Sequence, residues 1–262
     1  MKLLNKNVLK QSVRNNWKLW TILTGVMCFF ITVMTLTMKS IGERAGEGRA
    51  PGGGFGGFDS GMESIYANAV FSVMGLGMLM LIFMIAVGNK LVASEVDRGT
   101  LSFTMNTLIT RLQVIFSKAL FYMCALVSMI VLTALFGTFT SLAVGATINV
   151  GKLWLVVLGF ILFGFATSSI CFFASCWFNK SGFSLMLGAG LPVAFFLLNM
   201  LSPMLKINDT EFLKYISMNT LFDTNAILGG GNFIVQFIVL GVIAVGLYTA
   251  GIIKFLKKDL PL

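Results

Sequence analysis

The chain has 262 residues, is 57% hydrophobic and 11% charged, and has a mean hydropathy of +0.91. A soluble domain carries about 25% charged residues, so this composition excludes a soluble globular protein and indicates an integral membrane protein. The net charge of +9 is spread along the chain, which argues against a nucleic-acid surface, and the absence of His with four Cys all in apolar runs argues against a metal site or a disulfide.

The first 18 residues carry Leu3, Leu4, Val8, Leu9 and Val13 with Lys and Arg between them. That spacing predicts a basic amphipathic helix lying on the inner leaflet, with Trp17 and Trp20 near the headgroups. The plainer alternative is a frayed tail. No small-residue cleavage site follows, so the apolar block at 19–38 is read as a retained first span. The loop at 39–63 is glycine-dense, contains Phe55 and Phe58, and is expected to be flexible and extracellular. Its "GGGFGG" follows no strand and is not a nucleotide loop.

Further charge-free blocks predict spans at about 65–88, 119–144, 153–178, 183–205 and 233–253. "GATINVG" at 145–151 reads as a turn, and Pro192 is expected to kink the fifth span. Residues 206–232 read as short extracellular helices ended by the glycines at 229–231, and 254–262 as a cytoplasmic tail. Nothing alternates as a β-barrel requires. The fold class is therefore an all-α, six-span membrane protein forming one transmembrane domain. With the N-terminus in the cytoplasm, 13 Lys and Arg fall inside and 6 outside. The positive-inside rule then puts both termini in the cytoplasm of a multi-pass protein of the cell membrane.

What the spans lack narrows the function. They hold no ionisable residue, as an ion-coupled carrier would need, and no nucleophile–base pair or metal ligands. "GATINVGKL" at 145–153 has one residue too many for a phosphate loop and no hydroxyl after its Lys. Uphill movement of a cargo would need energy from another chain.

The loop at 90–117 interrupts this pattern. Glu95 and Asp97 are, with Asp259, the only acids on the cytoplasmic side. Gly99 permits a turn, and Thr100 can cap a short helix with Leu101, Phe103, Met105, Leu108, Leu112 and Ile115 on an apolar face. Such a helix fits a groove in a cytosolic partner. The alternative is a re-entry loop with solvated charges.

"EVDRGTL … TR … K", at Glu95, Gly99, Thr100, Leu101, Thr110, Arg111 and Lys118, resembles the E…GTL…SR…K signature of type-2 ABC transporter permeases, the exporter class. The tail "KFLKKDLPL" resembles that family's basic F…(K/R)(K/R)D-L ending at Phe255, Lys257, Lys258, Asp259 and Leu260. Leu108 departs from the pattern, since relatives often carry Pro before the S/T-R pair. The resemblance implies a non-catalytic permease with no cofactor of its own. It would pair with a second permease protomer and with two cytosolic ABC ATPase subunits that bind ATP and Mg, within membrane lipid and without nucleic acid. It also implies a coupling role for Glu95, Asp97, Arg98, Gly99, Thr100, Leu101, Phe103, Thr110 and Arg111, so that Glu95→Ala is expected to uncouple the transporter and leave it folded. The uncharged spans favour an apolar or amphiphilic cargo such as a peptide, antibiotic or lipid-like molecule. A non-transporting sensor or immunity protein and an ion-coupled carrier are the alternatives.

Overall fold

The computed structural model describes residues 6–46, 70–71, 73–99, 110–144, 150–201, 221–222, 224–228 and 233–258. All regular structure among them is helical: α1 (Lys6–Gly46), α2 (Met78–Leu91, entered through a π turn at Val73–Gly77), α3 (Ala93–Asp97), α4 (Arg111–Val144), α5 (Val150–Trp177), α6 (Ser181–Leu201), α7 (Thr224–Leu228) and α8 (Phe233–Leu256). Helices α1, α2, α4, α5, α6 and α8 are long and apolar enough to cross a membrane. In lipid, a helix satisfies its backbone groups within itself, so charge-free runs of this length fold this way.

Three boundaries differ clearly from the expectation, one being the end of α1, which runs to Gly46 rather than residue 38 and takes in the start of the predicted outer loop. The break placed between residues 18 and 19 is not a helix boundary, because α1 runs unbroken for 41 residues. At 1.5 Å per residue it is about 60 Å long, roughly twice the hydrocarbon core. Nothing in its first third stops a helix, and its buried stripe passes without interruption from Val8, Ser12 and Asn16 to Thr24, Met27, Ile31 and Thr35. The amphipathic segment therefore continues the first span and packs on the bundle. Likewise α4 starts at Arg111, eight residues before the expected span, which draws Leu112 and Ile115 out of the predicted loop helix. Ile115 is fully buried in the core.

Helix α5 is the centre of the bundle, packed against α2, α4, α6, α7 and α8. It is apolar on all sides, as an enclosed helix should be. Its buried face carries Ala166, Thr167, Ser168, Ser169, Ala174 and Ser175, small residues that let helix backbones approach. Gly88 of α2 shows how closely: a Cβ there would lie 2.9 Å from Cys171 Cβ and 3.0 Å from the Tyr122 hydroxyl. That hydroxyl donates to the Met84 carbonyl at 2.7 Å, tying α4 to α2. The outer faces of α6 and α8 keep Phe183, Met186, Ile234 and Val242 exposed, as lipid-facing surfaces do.

Pro192 lies inside α6, whose helical assignment passes through it. A proline removes the hydrogen bond to the carbonyl four residues back. Here that carbonyl is Gly188, and it accepts from the Cys171 thiol at 3.0 Å. At one end of the bundle Phe222 packs on Phe160 and Phe163, with ring centroids 5.7 and 5.8 Å apart, and seats the start of α7 against α5. The rest of the expected outer helices, at 206–220, lies outside the described residues.

Candidate functional site

The opposite end gathers the start of α1, the end of α2, all of α3, the starts of α4 and α6, and the ends of α5 and α8. Polar contacts concentrate there. They begin at α3, five residues that follow Val92 and close at Gly99. The Arg98 and Gly99 amides donate back to Ser94 and Val96 carbonyls at 3.2 and 3.1 Å. Gly99 has φ +68°, the left-handed conformation that glycine adopts without strain at a helix end. The predicted turn at Gly99 is therefore present, as the cap of α3.

Three contacts fasten α3 to three different helices. The Ala93 amide donates to Ser175 Oγ of α5 at 2.9 Å. The Glu95 carboxylate pairs with the Lys118 ammonium of α4. The Asp97 carboxylate accepts from the Ser181 amide and hydroxyl at 3.3 and 2.9 Å, on the first residue of α6. An acid is favoured there by the unsatisfied amides and partial positive charge of a helix start. Lys118 is 3% exposed while Glu95 is 29% exposed. A second Lys118 bond, to the Leu91 carbonyl at 2.6 Å, ties the end of α2 into the same joint. A cation so enclosed is sustained only by such partners.

Around this joint, Lys90 donates to the Asn15 carbonyl at 2.9 Å, linking α2 to α1. Thr110 precedes α4; its carbonyl accepts from Val114 and its amide donates to Gln113 Oε1, each at 3.2 Å. Arg111 donates to the Lys258 carbonyl at 3.3 Å, and Lys258 Nζ to the Cys176 carbonyl at 3.0 Å, fixing the tail to α4 and α5. Burial lowers the Lys258 pKa, partly opposed by Cys176, with Lys254 lowering it further. Lys254 itself sits 4.2 Å from the Trp177 ring centroid.

The expected coupling residues thus divide. The side chains of Glu95, Asp97 and Arg111 hold bonds within the chain, Asp97 while exposed, whereas Arg98 and Gly99 form an exposed turn and Thr110 is exposed at the start of α4. Thr100, Leu101 and Phe103 lie outside the described residues, as does the greater part of the predicted amphipathic helix. Sequence reasoning missed Ser175, Ser181 and the burial of Lys118. The available signal was position: Lys118 is the one cation between Arg111 and Lys152. As an inside charge and as the last position of the permease signature, Lys118 gives no sign of its burial. Among the described residues no three His, Cys, Asp or Glu come together as a metal site. The arrangement ties the exposed turn, directly or through Lys118, to α2, α4, α5 and α6.

Compared with known families, residues 6–260 match the family described as ABC-2 family transporter protein. No curated protein matches the chain.

Proposed function

The chain belongs to the ABC-2 transporter family, and from that premise we propose that it is the permease subunit of an ATP-driven exporter, energised by two cytosolic ABC ATPase subunits and working with a second permease protomer. The observation that carries the reading is the fastening of α3. One short element, ending in the exposed turn Asp97–Arg98–Gly99, is bonded to α4 through Glu95, to α5 through Ser175 and to α6 through Asp97. A partner that grips the turn and changes shape on binding ATP with Mg would displace the inner ends of those helices together. The pathway between protomers would then switch its access.

In this mechanism the coupling residues have two roles. Arg98 and Gly99 meet the ATPase, together with the neighbouring Thr100, Leu101 and Phe103. Glu95, Asp97 and Arg111 hold the turn to the helices that must move. The original expectation for Glu95→Ala changes accordingly: the substitution also leaves Lys118 short of its carboxylate partner, so folding and coupling suffer together. The cargo is apolar or amphiphilic. Supporting this, the charged side chains of the long helices among the described residues lie towards helix ends, leaving the mid-membrane portions uncharged.

The test is affinity purification of the chain from its native host in mild detergent, followed by mass spectrometry. Stoichiometric recovery of a cytosolic ATPase whose hydrolysis is stimulated by the permease supports the reading. Recovery of the chain alone, under conditions that preserve other permease–ATPase complexes, refutes it and favours a sensor or immunity protein.

A further inference from the structure

A polar cavity of about 240 Å³ lies between the first third of α1 and the α2–α3 joint, lined by Gln11, Ser12, Asn16, Lys90, Ser94 and Arg98 among others. Asn16 is 4% exposed. Its Nδ2 donates to the Ser12 carbonyl at 3.0 Å, which fixes the amide so that Oδ1 is the free end. That buried Oδ1 has no hydrogen-bond partner among the described residues. A buried acceptor left unpaired is costly, so the position calls for a donor from outside the chain.

The cavity also holds cations with capacity to spare. Lys90 uses one of its three donors on the Asn15 carbonyl. Among the described residues the Arg98 guanidinium has no hydrogen-bond partner, and the one carboxylate on the wall, Glu95, is paired with Lys118. Asn16 further lines a second, apolar cavity of about 400 Å³ between α1 and α4, bounded by Trp17, Trp20, Phe121 and Ala125. A basic polar pocket therefore adjoins an apolar groove, at the level where the exposed Trp17 marks the headgroup region.

We propose that this pocket binds the headgroup of a resident anionic phospholipid bearing hydroxyls, of the phosphatidylglycerol type. The phosphate sits between Lys90 and Arg98, a headgroup hydroxyl donates to Asn16 Oδ1, and an acyl chain enters the groove beside Trp20. The bound lipid fills the seam between α1 and α3 and so braces the joint. This site shares Arg98 with the proposed ATPase contact, but its test uses the full chain without any ATPase, so the two readings fail separately.

The experiment is native mass spectrometry of the detergent-purified chain with three probes: phosphatidylglycerol, phosphatidic acid and free glycerol 3-phosphate. Wild type is expected to hold one phosphatidylglycerol more tightly than phosphatidic acid and to show no binding of glycerol phosphate. Arg98→Gln, on an exposed residue whose loss should not disturb folding, is expected to weaken phosphatidylglycerol by roughly tenfold, the effect of one charge-assisted hydrogen bond. Asn16→Leu is expected to abolish the preference over phosphatidic acid while phosphatidic acid itself still binds. Unchanged lipid retention in a folded Arg98→Gln variant overturns the site, as does equal preference for the two lipids in wild type. Glycerol phosphate binding as tightly as the lipid overturns the membrane source and leaves a site for soluble phosphate esters.

Discussion

Glu95 and Arg98 stand three residues apart at the same small joint, and the structure treats them in opposite ways. Glu95 turns towards α4 and meets an ammonium that is almost wholly enclosed. Arg98 is exposed. The contrast is that the acids of this loop are bonded to other helices of the bundle, while Arg98 at the turn is exposed. Acidic residues contribute little to membrane topology, and a role inside the fold accounts for their presence on a face otherwise dominated by Lys and Arg.

The inward half of the comparison is the easier to break. Glu95→Gln removes the charged partner of Lys118 and should cost about 1.5–3 kcal/mol, the worth of a hydrogen bond between charged groups. Denaturation of the purified protein in detergent would read it. Glu95→Gln combined with Lys118→Met should cost less than the two single variants added together, because no uncompensated charge is then left buried. Strict additivity would show that the pair does not interact. Next comes Ser175→Ala, which strands the buried amide of Ala93 and should cost about 1–3 kcal/mol. Asp97→Ala, at an exposed helix start, should cost about 0.3–1 kcal/mol. Smallest on stability is Arg98→Glu, within about 0.5 kcal/mol as for a surface change. Yet this last variant should have the largest effect on association with a cytosolic partner, and a pull-down would show it. A stability loss at Arg98 matching that at Glu95 would erase the distinction between the two halves.

Much of this architecture was legible in the residues, and the failures have physical causes. Charge-free runs located all six long helices, because a span must exclude charge and the boundaries announce themselves. They separated the amphipathic start of α1 from its span, where the helix is continuous and no Gly or Pro marks a break before Gly25. Hydropathy could not tell the enclosed α5 from the peripheral α6, both equally greasy. That difference lies in the Ala, Ser and Thr along α5, which pattern reading treats as neutral. Pro192 led to the expectation of a kink, but the helix assignment runs through it, and the thiol of Cys171 that bonds the Gly188 carbonyl comes from another helix, where no local rule reaches. The site follows the same pattern. Gly99 and the exposed Arg98 could be placed from local turn chemistry, whereas the pairing of Glu95 with Lys118 depends on the fold bringing residues 23 apart in sequence together. The unpaired Oδ1 of Asn16 was hidden for the same reason: in sequence it belongs to one polar residue in a basic helix.

The most direct measurement compares ATPase recovery with the wild-type chain, Arg98→Glu and Glu95→Gln, each affinity-purified under the same mild conditions and quantified by mass spectrometry. The account predicts a stoichiometric ATPase with wild type, its loss with Arg98→Glu, and its retention with Glu95→Gln but without stimulation of hydrolysis by the permease. Undiminished ATPase recovery with Arg98→Glu, or full stimulation by Glu95→Gln, would contradict it.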